Sequence, residues 1–100
     1  MARYITIDCT KIQDQEHLHQ VFSEALHFPG WYGRNLDALY DCLTDLEQET
    51  KIMLFCWSVL EDRLGAYAEK TKFVLTQAMD DNIDLTVRFS DDLSGMISSK

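Results

Sequence analysis

Residues 52–57 read Ile-Met-Leu-Phe-Cys-Trp, the longest uninterrupted apolar run in the chain. A strand sends successive side chains to opposite faces, so a run that is apolar at every position is apolar on both faces. That is the pattern of a central strand in a parallel sheet. The run is far shorter than the roughly 20 residues needed to cross a bilayer. It therefore calls for a neighbouring strand on each side, and the rest of the chain can be searched for them.

Two alternating segments fit. From Arg3 to Cys9, Ile5, Ile7 and Cys9 share one face while Tyr4, Thr6 and Asp8 share the other; near the C-terminus, Ile83, Leu85, Val87 and Phe89 alternate with Asp84, Thr86 and Arg88. Helical stripes lie between the strands. After Asp14, a suitable N-cap, Leu18, Val21, Phe22, Ala25 and Leu26 fall at i, i+3, i+4, i+7 and i+8. Pro29, Gly30 and Gly33 interrupt that pattern, and Asn35 is placed to cap a second helix, in which Leu36, Leu39, Leu43 and Leu46 recur at helical spacing. Ser58-x-x-Glu61 has the form of a capping box for a short third helix ended by Gly65. Tyr67, Thr71, Val74, Leu75 and Ala78 mark a fourth helix, which Asn82 can stop. Strands alternating with helices predict an α/β fold, with three parallel strands in the order 1-2-3 and four helices. We expect one domain over residues 1–90 and a polar tail over residues 91–100.

Charge and cysteine usage narrow the function. Seventeen acidic against nine basic residues give a net charge of -8, which disfavours nucleic acid and anionic membranes as direct ligands and favours a basic protein partner. Cys9, Cys42 and Cys56 are odd in number and lack C-x-x-C spacing, so they read as core thiols in a reducing compartment. The N-terminus alternates polar and apolar residues instead of carrying the apolar stretch of a signal peptide, so a cytoplasmic location is expected. His17, His19 and His27 have no metal-ligand spacing and are assigned surface or packing roles; no metal or cofactor is expected.

The informative surface is the second helix. At about 100° per residue, Asp37, Asp41 and Thr44 share a face turned away from the leucines, and Asp45 extends it. Carboxylates at i and i+4 repel each other, a cost that a face built only for solvation need not carry. Trp31 and Tyr32 precede the helix in a glycine-bounded loop and Tyr40 borders the acids, a composition closer to an interface than to a solvated face.

At residue level, Phe28-Pro29-Gly30-Trp31-Tyr32-Gly33-Arg34-Asn35-Leu36-Asp37-Ala38-Leu39-Tyr40-Asp41-Cys42-Leu43-Thr44 resembles the signature of the barstar family, intracellular inhibitors of ribonucleases. Weaker likeness runs over residues 3–90, through Leu18-His19-Gln20 and residues 84–90. The resemblance implies a three-stranded parallel sheet with four helices, in accord with the periodicity. It also implies that the second helix and its loop plug the active site of a basic, secreted, guanyl-specific microbial ribonuclease. On that likeness Asp41 takes the place of a phosphate and Asp37 pairs with a cation. Trp31 and Tyr32 are aromatic anchors, Gly33 and Asn35 allow close approach of the loop, and Leu36, Tyr40 and Thr44 fill around the acids. The chain departs from the family pattern at Trp31, Tyr40, Leu46 and Gln77, and Arg34 adds a positive charge beside the acidic helix. A monomer when free is expected.

Two other readings stand beside this one. Asp37 and Asp41 could serve as a general acid/base pair or as hard-cation ligands, but an open convex helix leaves carboxylates hydrated, and no nucleophile or phosphate cradle accompanies them. The second alternative is an immunity or antitoxin-type binding module of the same fold with a target other than a ribonuclease.

Overall fold

The computed structural model describes residues 2–91. Their elements are β1 (Arg3–Asp8), a 3-10 turn (Cys9–Lys11), α1 (Gln15–Leu26), α2 (Leu36–Thr44), β2 (Thr50–Phe55), α3 (Trp57–Leu64), α4 (Ala66–Asp81) and β3 (Leu85–Phe89). The strands form one parallel sheet in the order β1-β2-β3. The expected fold, with the apolar run in the centre, is the observed one. The tail expected from residue 91 onward lies outside the described residues except for Asp91.

Register explains which face meets the core. Ile5 pairs with Ile52, Ile7 with Leu54, and Ile52 with Val87, so these side chains share one face of the sheet. Leu18, Phe22 and Leu26 of α1, Leu39 and Leu43 of α2, Leu60 of α3 and Leu75 of α4 complete the cluster, all buried. The opposite face lines a shallow groove through Tyr4, Thr6, Lys51, Met53, Thr86 and Arg88. Arg63 of α3 clamps the 3-10 turn by donating from Nη1 to the carbonyls of Thr10 and Ile12 at 2.6 and 2.9 Å.

Three boundaries differ from the sequence reading. The expectation that Trp57 ends the central strand is corrected, because Cys56 adopts a left-handed conformation at φ 61° and Trp57 is the first residue of α3. Its indole is buried and meets Phe89 edge-on at 4.9 Å. Apolar periodicity cannot register that corner, because Leu54, Phe55, Cys56 and Trp57 are buried in succession through it. The capping box also fails: Ser58 is exposed inside the first turn of α3, and the N-cap position, Cys56, makes no side-chain capping hydrogen bond to that turn. Ile83 is 97% exposed instead of lying on the buried face of β3. Asn82 Oδ1 accepts from the Asp84 N–H at 3.0 Å, and the Asn82 carbonyl accepts from the Leu85 N–H at 3.0 Å, a tight turn that expels Ile83.

Gly65 stops α3 as expected and also starts α4. At φ 55° and ψ -123° it occupies a region open almost only to glycine. Its N–H donates to Glu61 while its carbonyl accepts from Ala68 and Glu69, so one residue joins two helices.

Candidate functional site

The loop of residues 28–34 and helix α2 have separate local causes. Asn35 caps α2 as the sequence predicted, its Oδ1 accepting from the Ala38 N–H at 2.7 Å. Gly33 packs closely on the start of α2: a Cβ there would meet the Asn35 amide nitrogen tightly, at 3.2 Å, and Ala38 Cβ at an ordinary 3.7 Å. Arg34 takes a left-handed φ of 58° and turns its guanidinium toward Glu16 of α1, 3.9 Å away. Both partners are exposed, so the pair adds little stability, but it engages a charge expected beside the acidic helix.

α2 ends at Thr44, two residues earlier than the leucine spacing suggests. Thr44 Oγ1 donates back to the Tyr40 carbonyl at 3.0 Å, and the buried Asn82 donates from Nδ2 to the carbonyls of Leu43 at 2.9 Å and Leu46 at 3.1 Å. The Leu43 carbonyl also accepts from the Leu46 N–H at 3.4 Å, so Asn82 adds donors at a helix end where carbonyls run short of intrahelical ones. Asn82 thus stops α4 and also fastens the end of α2 to it.

The nine residues singled out from the sequence divide by what their side chains are free to do. Asp37 and Asp41 are exposed, one turn apart, and neither has a cationic partner among the described residues. Trp31 is 66% exposed and edges a hollow with Phe28, Pro29, Asp45 and Leu46. Leu36 and Tyr40 are half-buried and line a groove with both acids. The Tyr40 hydroxyl donates to Asp81 of α4, and that bond, more than its modest burial or the nearby carboxylates, holds its pKa above the usual tyrosine value. Thr44 and Asn35 use their polar atoms within α2, and Gly33 serves the loop backbone.

Tyr32 corrects the expectation of an outward aromatic anchor: it is only 8% exposed. Its ring packs against Phe28 at 4.8 Å, and its hydroxyl lies 2.5 Å from His19 Nδ1. The other ring nitrogen, Nε2, lies 2.6 Å from the Tyr67 hydroxyl. A neutral imidazole has one donor and one acceptor, so one tyrosine gives it a proton and the other receives one. The result is a chain of side chains from the loop through α1 to α4. Burial, with a smaller contribution from Arg34, lowers the His19 pKa and favours this neutral form. Burial likewise raises the pKa of both tyrosines.

His19 and Tyr67 were missed as supports because their hydrogen bonds span 13 and 48 residues, beyond any local pattern. Phe73 and Val74 were missed as neighbours of the acidic face for the same reason, although they line its groove together with Gln77. Cys9, Cys42 and Cys56 are buried thiols, and burial, helped by Asp8 and Cys56, pushes Cys9 up to about 12. They are suited to packing and not to nucleophilic attack. Among the described residues, no three His, Cys, Asp or Glu side chains gather as metal ligands, and no helix is long and apolar enough to cross a membrane.

The sequence pattern of the family described as Barstar (barnase inhibitor) fits residues 2–90. A protein of Bacillus subtilis (strain 168) named "Putative ribonuclease inhibitor YrdF" is 36% identical over 80 residues, covering 79% of this chain and 88% of that protein.

Proposed function

Because the chain belongs to the barstar family, we propose that it inhibits a basic, secreted ribonuclease by seating α2 and the preceding loop in the enzyme's active site. The observation that carries this reading is the exposed pair Asp37 and Asp41, one turn apart on α2 and without a cation from their own chain among the described residues. An enzyme that grips an RNA backbone presents clustered Lys or Arg, and a helix-borne carboxylate pair is complementary to such a cluster. Asp41 stands in for a phosphate, Asp37 pairs with a neighbouring cation, and the Trp31 indole covers apolar surface at the rim. Tyr32 contributes from beneath, by fixing the loop that carries Trp31. In this reading the protein is a cytoplasmic monomer without catalytic activity, and its net charge of -8 speeds encounter with a basic target.

The test is titration of the protein into a secreted, guanyl-specific bacterial ribonuclease while RNA cleavage is followed. Cleavage should cease near one equivalent, and the association rate should fall as salt is raised, since screening sets in over about 10 Å at 0.1 M. The protein alone should leave RNA intact. Undiminished cleavage at saturating inhibitor across several such enzymes would overturn the reading.

A further inference from the structure

The groove beside the acids has two walls. Leu36, Asp37, Tyr40 and Asp41 form the α2 wall; Phe73, Val74 and Gln77 form the α4 wall, and together they bound about 590 Å³. The numbers 36, 37, 40, 41 and 73, 74, 77 each follow the spacing of one helix face. Tyr40 donates to Asp81, and Asn82 holds the carbonyls of Leu43 and Leu46, so the C-terminal ends of α2 and α4 lie together and the helices run in the same direction. Phe73 precedes Asp81 by two turns, about 12 Å at 1.5 Å per residue, which sets it toward the Asp37 end of the groove.

Phe73 is 64% exposed. Four large apolar side chains are this exposed among the described residues; Trp31 shares its hollow with one carboxylate, Asp45, whereas Phe73 shares its groove with two, Asp37 and Asp41. The Tyr4 ring is already covered by Lys51 Nζ at 5.7 Å, and Lys72, next to Phe73 in sequence, lies over the Phe89 ring at 4.9 Å. An open aromatic face beside a carboxylate lacking a cation suits a cation that is flat as well as charged. A guanidinium can stack on the ring while its in-plane N–H groups pair with the acid. A lysine ammonium, being compact and strongly hydrated, gains less from the ring.

We infer that Phe73 of α4 is a platform on which an arginine of the target ribonuclease stacks while its guanidinium pairs with Asp37. This rests on the inhibitor reading above. Charge complementarity selects the occupant, since the enzyme must carry cations for RNA and the groove offers acids and a ring. Gln77 adds an uncharged acceptor to the same wall without adding charge.

The test compares wild type with Phe73→Tyr, Phe73→Leu and Phe73→Ala as inhibitors of a guanyl-specific bacterial ribonuclease that the wild type blocks, with thermal unfolding as a control for folding. Tyrosine keeps the ring and should inhibit within about twofold of wild type, whereas leucine and alanine should each weaken inhibition about tenfold. If leucine matched wild type, the contact would be apolar area alone and the stacking role would be overturned; if alanine matched it, Phe73 would have no part. If no ribonuclease is blocked, the inhibitor reading falls, and the platform is judged separately by NMR titration with tetra-arginine and tetra-lysine peptides. Tetra-arginine should shift the Asp37 amide at lower concentration than tetra-lysine, with the difference lost in Phe73→Leu. Equal responses to the two peptides, or a difference that survives the substitution, would overturn it.

Discussion

The loop of residues 28–34 is held by side chains from distant parts of the chain, whereas the outer face of α2 is held by the helix that bears it. Tyr32 reaches His19 of α1, which reaches Tyr67 of α4, and Phe28 packs on the same tyrosine ring. Asp37 and Asp41 rely on less: the Asn35 cap fixes the start of α2, Asn82 ties its end to α4, and helical spacing presents the acids. Loop and helix adjoin on one surface, so the acidic face should survive damage to the loop's anchor, while the loop should not.

The substitution with the largest expected effect bears on the helix. Asp41→Ala should weaken binding to the ribonuclease by about 2 to 5 kcal/mol, the general cost of truncating one member of a buried interfacial charge pair, for which barnase–barstar is itself a standard example. Folding stability should hold or rise slightly, because a repulsive i, i+4 pair is removed. Calorimetric titration and urea unfolding read the two quantities, and a loss of stability equal to the loss of affinity would contradict the idea of a self-supporting helix face.

Next comes the loop. His19→Leu strands the buried Tyr32 hydroxyl and should cost about 1 to 3 kcal/mol in urea unfolding. Adding Tyr32→Phe removes the stranded group and should recover part of that loss; if the double variant were less stable than His19→Leu, the side-chain chain would not be the loop's support. The same histidine predicts a pH dependence. Its folded pKa lies below the ordinary value of 6.5, so between the two values the unfolded chain binds more protons. Its stabilising contribution is complete above about pH 6.5 and falls as pH drops through the lowered folded-state value. Wild type should therefore lose stability relative to His19→Leu on acidification through that window, and parallel pH profiles would exclude the effect.

Smaller effects sharpen the comparison. Asn35→Ala should cost about 1 kcal/mol by removing the α2 cap, measured by thermal unfolding, with amide exchange rising first at Ala38. Asp80→Ala, exposed on α4 and outside the groove lining, should change stability and binding by no more than about 0.5 kcal/mol. Effects of equal size from Asp80→Ala and Asp41→Ala would remove the basis for locating recognition on α2.

Local order was open to sequence reading wherever it has a local cause. Strand alternation in β1, the apolar run in β2, the Asp14 and Asn35 caps and the Gly65 break all act within a few residues, and each is present in the structure. Helical spacing likewise sets Asp37 and Asp41 on one exposed face. Burial of neighbouring loop residues has no such period. Trp31 and Tyr32 are adjacent aromatics of similar size, and only the presence of His19, 13 positions away, draws the second inward. The corner at Cys56 and the approach of Phe73 to the acids are of the same kind: they follow from where distant elements pack, which a one-dimensional pattern does not encode. Sequence by itself determined the elements, the parallel order of the strands and the charge of the outer face of α2, because those follow from backbone geometry and side-chain periodicity. Tertiary structure alone decided which aromatics support that face and which remain open beside it, because burial depends on what arrives from elsewhere in the chain.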